Sequence, residues 1–312
     1  MNTRAPVTAL HRLIAFMRLG RYVFLGGGFV FYGLGAAIAH YLGVPINWTL
    51  YAWGQAIVTA TQLMVHYAND YFDLAADLAN PTPTHWSGGS RVLPAGELPP
   101  KVALVTALCL GAFAVLMSVL LAVVGRPGPA ALLLLGIALA WFYSAPPVRL
   151  LARGVGELCA ALVVSVMTPL VAFALQAGRL HPLSLLAVLP LFCLQLNMLI
   201  GVAMPDLEGD AAAGKRTLVV RVGRRQATRL YATLVALAYL SLPLLVALGL
   251  PALVAAALVP GLPVGLWLSW RMWRCATTDS PCPNWNVLEF LSIALLVGSA
   301  IVEGLVFVVL SM

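Results

Sequence analysis

Charge is what this 312-residue chain has least of: 9% of its residues are Asp, Glu, Lys or Arg, and only eleven are acidic. A soluble domain covers its surface with such side chains, so a chain that is 62% hydrophobic excludes soluble folds. The period-2 alternation of a membrane barrel is also missing, which leaves a polytopic bundle of membrane helices. Cysteine is scarce. Cys109, Cys159 and Cys193 lie in apolar runs, and Cys275 and Cys282 share a loop without metal-ligand spacing, so free thiols are expected. A cleavable leader is not expected either. Arg12, Arg18 and Arg21 precede an apolar stretch at about 22–42, longer than a signal-peptide core, which predicts a retained first helix.

What is present is long apolar runs between breakers. They predict an all-α fold of about nine transmembrane helices at roughly 22–42, 48–68, 102–124, 129–144, 156–177, 182–204, 227–248, 251–270 and 287–311. Of the eighteen Lys and Arg residues, all but Arg126 and Arg179 fall in or beside alternate connections, those on the side of the N-terminal tail. That bias puts the N-terminus in the cytoplasm and the C-terminus outside. The net charge of +7 is therefore topological, and no nucleic-acid partner is expected.

Against this background, three acidic residues fall within eight positions, in Asn69-Asp70-Tyr71-Phe72-Asp73-Leu74-Ala75-Ala76-Asp77. Asn69, Asp73 and Asp77 are spaced i, i+4, i+8, a drift of about 40° per step on a helix, so their oxygens share one face. Asp206-Leu207-Glu208-Gly209-Asp210 repeats the device after the sixth run. Acidic side chains are unfavourable at helix C-termini, and clustered carboxylates repel unless cations lie between them. Oxygen ligands without His or Cys favour Mg²⁺. Mg²⁺ completes its shell with water and phosphate, and basic residues lie nearby: Arg91 after Ser87-Gly88-Gly89-Ser90, Arg149 and Arg153, and Lys215 and Arg216. A phosphate site at the mouth of an apolar bundle suits an amphiphile such as an allylic diphosphate. Trp141, Phe142 and Tyr143 could face the carbocation left by its ionisation. Gln62 and His66 extend a polar stripe towards the cluster, and His66 could orient an acceptor or take its proton. The residues alone do not name the acceptor. A transporter or Mg²⁺ channel is the rival reading, disfavoured because such proteins bind near the bilayer midplane.

With both Asp motifs in this order, the whole chain resembles the UbiA superfamily of intramembrane prenyltransferases. Gly88 to Gly96, Tyr143-Ser144-Ala145-Pro146-Pro147-Val148-Arg149, Gly154 to Glu157 and Gly214-Lys215-Arg216-Thr217-Leu218 also have family-like counterparts. The flanking segments are most similar to the branch that prenylates 1,4-dihydroxy-2-naphthoate for menaquinone. Met204 and Pro205 depart from the Asn and Arg of many quinone-pathway members. The resemblance implies one domain over 1–312 with two weakly similar halves, around a central cavity open to the cytoplasmic side of a bacterial inner membrane. It makes Asn69, Asp73, Asp77, Asp206 and Asp210 the Mg²⁺ site, with Asp73, Asp206 and Tyr143 in the chemistry. Arg91, Arg149, Lys215, Asp70 and His66 would bind or support the substrates. Its substrates would be a polyprenyl diphosphate and an aromatic acceptor, the naphthoate first, with a hydroxybenzoate, homogentisate, haem or chlorophyllide as alternatives, and membrane lipid as surroundings.

Overall fold

The computed structural model describes residues 9–80, 83–277 and 284–312, and these are helical with no strand among them. In chain order the helices that build the bundle are α1 (Ala9–Leu19), α2 (Leu25–Tyr41), α3 (Trp48–Phe72), a short α4 (Leu74–Ala79), α5 (Pro100–Val123) and α6 (Pro127–Phe142). They continue as α7 (Gly156–Ala177), α8 (Pro182–Ala203), a short α9 (Leu207–Ala212), α10 (Leu218–Ala247), α11 (Ala252–Thr277) and α12 (Trp285–Leu310). Local chemistry sets several ends. Pro100, Pro127 and Pro182 open their helices, where a missing N–H costs nothing. Gly178, at φ 73°, closes α7 in the left-handed cap that glycine adopts without strain.

Each predicted span coincides with a helix, but the count of nine is not carried by length and hydropathy. Seven helices among the described residues are long and apolar enough to cross a membrane. The α6 helix is apolar but only 16 residues long. The α3 helix has 25 residues, yet Gln55, Thr59, Thr61, Gln62, His66 and Asn69 dilute its hydrophobicity. The chain is an integral membrane protein, and one whole side of α5 (Val105, Leu108, Leu116, Val119 and Val123) is exposed as a lipid-facing surface would be.

Two departures from expectation stand out. Residues 9–19 form a helix rather than a tail, with Leu10, Leu13 and Met17 exposed and Ala15 and Leu19 buried, the pattern of a helix lying in a membrane interface. Arg18 ties it to Glu97 at 2.9 Å. Cys275 is not a free thiol but disulfide-bonded, Cys282 lies outside the described residues, and Cys109, Cys159 and Cys193 are free as expected.

Two apolar clusters share α2 and α7 as a common wall. Phe31, Leu34 and Phe173 face the cluster of α8 and α10–α12, while Tyr32, Ala172 and Leu175 face that of α1, α3, α5 and α6. The wall is thin because Gly35 lies directly against the Pro169 backbone, where any Cβ would collide with the carbonyl oxygen. Beside it, Gly28, Val58, Thr61, Gln62, Leu133, Gly136, Met167 and Val171 line a narrow, mostly apolar cavity of about 50 Å³. Gln62 precedes Asn69 by two helical turns on α3, so the cavity lies roughly 10 Å along the helix from the first acidic motif. The connections bearing both acidic motifs lie at one end of the bundle. The turns at 43–47, 124–126, 178–181 and 248–251 close the other.

Candidate active site

The α3 helix ends in Asp73, which caps it, and α4 turns away at once, so Asp77 returns beside Asp73. The second motif does the same after α8. Asp206 starts α9 and accepts the Asp210 backbone N–H at 2.8 Å. Between the two motifs stands Lys215, itself buried, with Nζ 2.9 Å from Asp73 and 3.6 Å from Asp210. Sequence positions 73 and 210 are thus bridged by one ammonium.

A loop that sequence reading did not place holds the two halves together. Asp206 accepts hydrogen bonds from Asn80 Nδ2 (2.8 Å), Ser87 Oγ (3.1 Å) and the Gly88 N–H (3.1 Å). Asp70 accepts from the Ser90 N–H at 3.1 Å and from its hydroxyl, and Arg91 donates to the Asp77 carbonyl oxygen. Gly89, at φ 75°, lies so close to the Asp77 carboxylate that a Cβ would displace it. The same loop is moored from outside. Thr84 donates to Glu289 on α12 at 3.0 Å, the His85 N–H to Asn286 at 2.8 Å, and Arg21 to the Trp86 carbonyl at 2.9 Å. Both acidic motifs therefore hang on Asn80, Ser87, Gly88, Ser90 and Arg91.

Electrostatics mark the site as short of positive charge. Burial, then the charge of Asp70, pushes the Asp77 carboxyl up to about 7; burial outweighs Lys215 and takes Asp210 to about 6. Asp206 also rises through burial, opposed by its Asn80, Ser87 and Gly88 donors. Burial works against the Lys215 ammonium, but Asp73 and Asp210 outweigh it and hold its pKa above the usual lysine value. A cation is what such a cluster lacks. Among the described residues no three His, Cys, Asp or Glu side chains converge on one point that would hold a metal. Carboxylates beside an amide oxygen, without His or Cys, are the donor set that suits Mg²⁺, which takes one or two carboxylates and leaves the rest of its shell to water and phosphate.

Of the residues picked out by sequence, Asn69, Asp73, Asp77, Asp206, Asp210 and Lys215 come together. Asn69 donates to Asp73 at 2.7 Å and to Ser144 at 2.8 Å, tying the 143–149 segment to the site. Tyr143, at the end of α6, lies where Asp73 and Asp210 act on its hydroxyl. Arg91 faces the first motif through backbone. Asp70 points to the loop rather than into the cluster. Arg149 is exposed and makes no side-chain hydrogen bond among the described residues, and His66 places Nδ1 2.8 Å from the Gly20 carbonyl oxygen, so it holds the end of α1. Sequence reading missed Arg21, Asn80, Ser87 and Glu289. The one legible signal was Glu289, an acidic residue inside an apolar run.

The sequence profile of the UbiA prenyltransferase family matches residues 28–296. The chain belongs to that family. It is 26% identical to a 1,4-dihydroxy-2-naphthoate octaprenyltransferase of Bacillus subtilis over 57% of each chain. It is 31% identical to one of Mycobacterium tuberculosis over 59% of this chain and 61% of the relative. The chain thus spans less than two thirds of these two relatives. A digeranylgeranylglyceryl phosphate synthase of Natronomonas pharaonis is 30% identical over 74% of this chain and 76% of its own. In fold, the chain resembles a UbiA homologue of Archaeoglobus fulgidus bound to DMAPP and Mg²⁺, with a TM-score of 0.65, 17% identity and coverage of 94% and 99%. A homologue from Aeropyrum pernix gives 0.61 at 17% identity, covering 87% and 96%.

Proposed function

We propose that the chain transfers a polyprenyl group from an allylic polyprenyl diphosphate to an aromatic acceptor, with 1,4-dihydroxy-2-naphthoate favoured. The observation that carries the reading is the meeting of two acidic motifs on Lys215 at one end of a bundle, close to an apolar cavity. In this reading each Mg²⁺ would be held by one or two of the carboxylates of Asp73, Asp77, Asp206 and Asp210, with the Asn69 oxygen beside them, and by the diphosphate. When bound, Mg²⁺ would neutralise charge on the departing diphosphate. Lys215 and Arg91 hold its oxygens in place as the allylic C–O bond breaks and the electron pair leaves with it. The hydrocarbon enters the cavity lined by Val58, Leu133, Ile137 and Val171, which excludes water from the cation. Tyr143, next to the Ser144 that Asn69 bonds, would offer a ring face to the cation. The ring carbon bearing the carboxylate then forms the new C–C bond, and CO₂ departs leaving its bonding pair to restore the ring.

The basic connections put this end of the bundle in the cytoplasm, with the C-terminus outside. A second reading follows from the Natronomonas relative: transfer to a glyceryl phosphate lipid instead of a ring. Purified protein with one labelled polyprenyl diphosphate, Mg²⁺ and a panel of acceptors (the naphthoate, 4-hydroxybenzoate, homogentisate and geranylgeranylglyceryl phosphate) separates them. Product with the naphthoate is expected; product only with another acceptor discards the assignment.

A further inference from the structure

We propose that the outward face of α10 and α11, at the end of the bundle that carries the carboxylates, binds the phosphate headgroup of an anionic phospholipid. On α11 the side chains packed inward are Gly265, Leu268, Ser269, Met272 and Cys275. At about 100° per residue, Trp267, Trp270 and Arg274 fall on the opposite side, which in a membrane bundle faces lipid, and half-buried Arg271 falls on its flank. Trp267 and Trp270 are accordingly 42% and 49% exposed.

The guanidinium groups are stacked on indoles instead of extending freely. Arg271 lies 5.7 Å from the Trp267 ring centroid and Arg274 5.0 Å from that of Trp270. From α10, Arg225 and Arg229 lie 5.9 and 5.7 Å from the centroid of Trp273. A stacked guanidinium keeps its N–H edge for a planar or tetrahedral anion while its orientation is fixed. Among the described residues no carboxylate pairs with Arg225, Arg229 or Arg271; Glu208 is taken by Arg224 at 3.5 Å. The Arg271 Nε is also buried without a hydrogen-bond partner. A shielded guanidinium donor at a lipid-facing surface lacks an anion there. Leu237, Leu240, Val264 and Leu266 continue the same surface as exposed apolar side chains suited to acyl chains, which favours a phospholipid over free phosphate. Residues placed only for topology need neither indoles nor a shielded donor.

The test uses the full chain in nanodiscs of phosphatidylcholine with graded phosphatidylglycerol, bound lipid being counted by native mass spectrometry. Preference for phosphatidylglycerol is expected, with a loss of about five-fold for Arg229→Gln and more than twenty-fold for Arg225→Gln/Arg229→Gln/Arg271→Gln, given roughly 1 kcal/mol per basic residue near the surface. Arg126→Gln/Arg179→Gln, on the opposite end, should change nothing, and inorganic phosphate should not displace the lipid. Arg229 is exposed, so its single substitution reads the site even if the triple variant folds poorly. Unchanged preference in Arg229→Gln, equal loss in the opposite-end control, displacement by inorganic phosphate, or a dimer that occupies this face would each overturn the proposal.

Discussion

Replacing Lys215 by methionine tests the junction of the two motifs directly. The ammonium is buried and touches Asp73 at 2.9 Å and Asp210 at 3.6 Å, so its loss leaves two shielded carboxylates without their cation. Breaking a buried pair from one side costs about 3–5 kcal/mol. At about 2 °C per kcal/mol, the slope for larger domains, Lys215→Met should melt roughly 6–10 °C lower in detergent with EDTA. Asp73→Asn should also destabilise. The double variant removes both ends of the closer pair, so its loss should fall short of the sum of the singles by roughly 1–3 kcal/mol. Mg²⁺ should recover more of the melting temperature in Lys215→Met than in the parent, because the variant has lost the charge that competes with it. The assay is thermal unfolding followed by tryptophan fluorescence, with and without Mg²⁺, for the four members of the cycle. Strict additivity, or a Lys215→Met protein as stable as the parent in EDTA, would refute the reasoning that this lysine neutralises both motifs.

Other outcomes follow from the same geometry. Asp73→Ala or Asp206→Ala should abolish prenyl transfer while the protein still inserts and unfolds cooperatively; near-normal turnover in either would remove the two-motif site. Gly89→Ala should lower turnover at least ten-fold with little change in expression, since the added Cβ meets Asp77 and φ 75° is a strained conformation for alanine. Gly35→Val should cost about 1–3 kcal/mol or more by pushing α2 off α7, read as a lower melting temperature with unchanged acceptor preference. Because the folded-state pKa of Asp77 is raised to about 7, the native protein binds more protons than the unfolded chain between about pH 4 and 7. Without Mg²⁺ its melting temperature should therefore fall as pH rises through that window, and the slope should weaken in Asp77→Asn.

The fold was legible where a local rule applies. Apolar runs marked the helices because a bilayer demands length, and proline and glycine punctuated them because each constrains one backbone position. The spacing of Asn69, Asp73 and Asp77 predicted a shared face, and the structure brings these residues together with Asp206, Asp210 and Lys215. Residues 9–19 were read as a tail because topology counting registers their arginines and not their amphipathic pattern. The disulfide at Cys275 depends on how a connection folds.

Only tertiary packing decided what each polar side chain does with its donors. Sequence reading made Asp206 the equal of Asp73 and gave Asp70 a supporting role; the structure turns Asp70 to Ser90 and satisfies Asp206 through Asn80, Ser87 and Gly88. His66 shares a helix face with the cluster, yet Gly20, just past the first helix, reaches its ring. Which partner wins is set by contacts between segments as far apart as Thr84 and Glu289, and no periodicity in one segment encodes the position of another. The sequence by itself determined that carboxylates gather at one end of a membrane bundle, since hydrophobic length and charge bias are properties of each segment. The clasp over them, and the single lysine between them, exist only once the helices are packed.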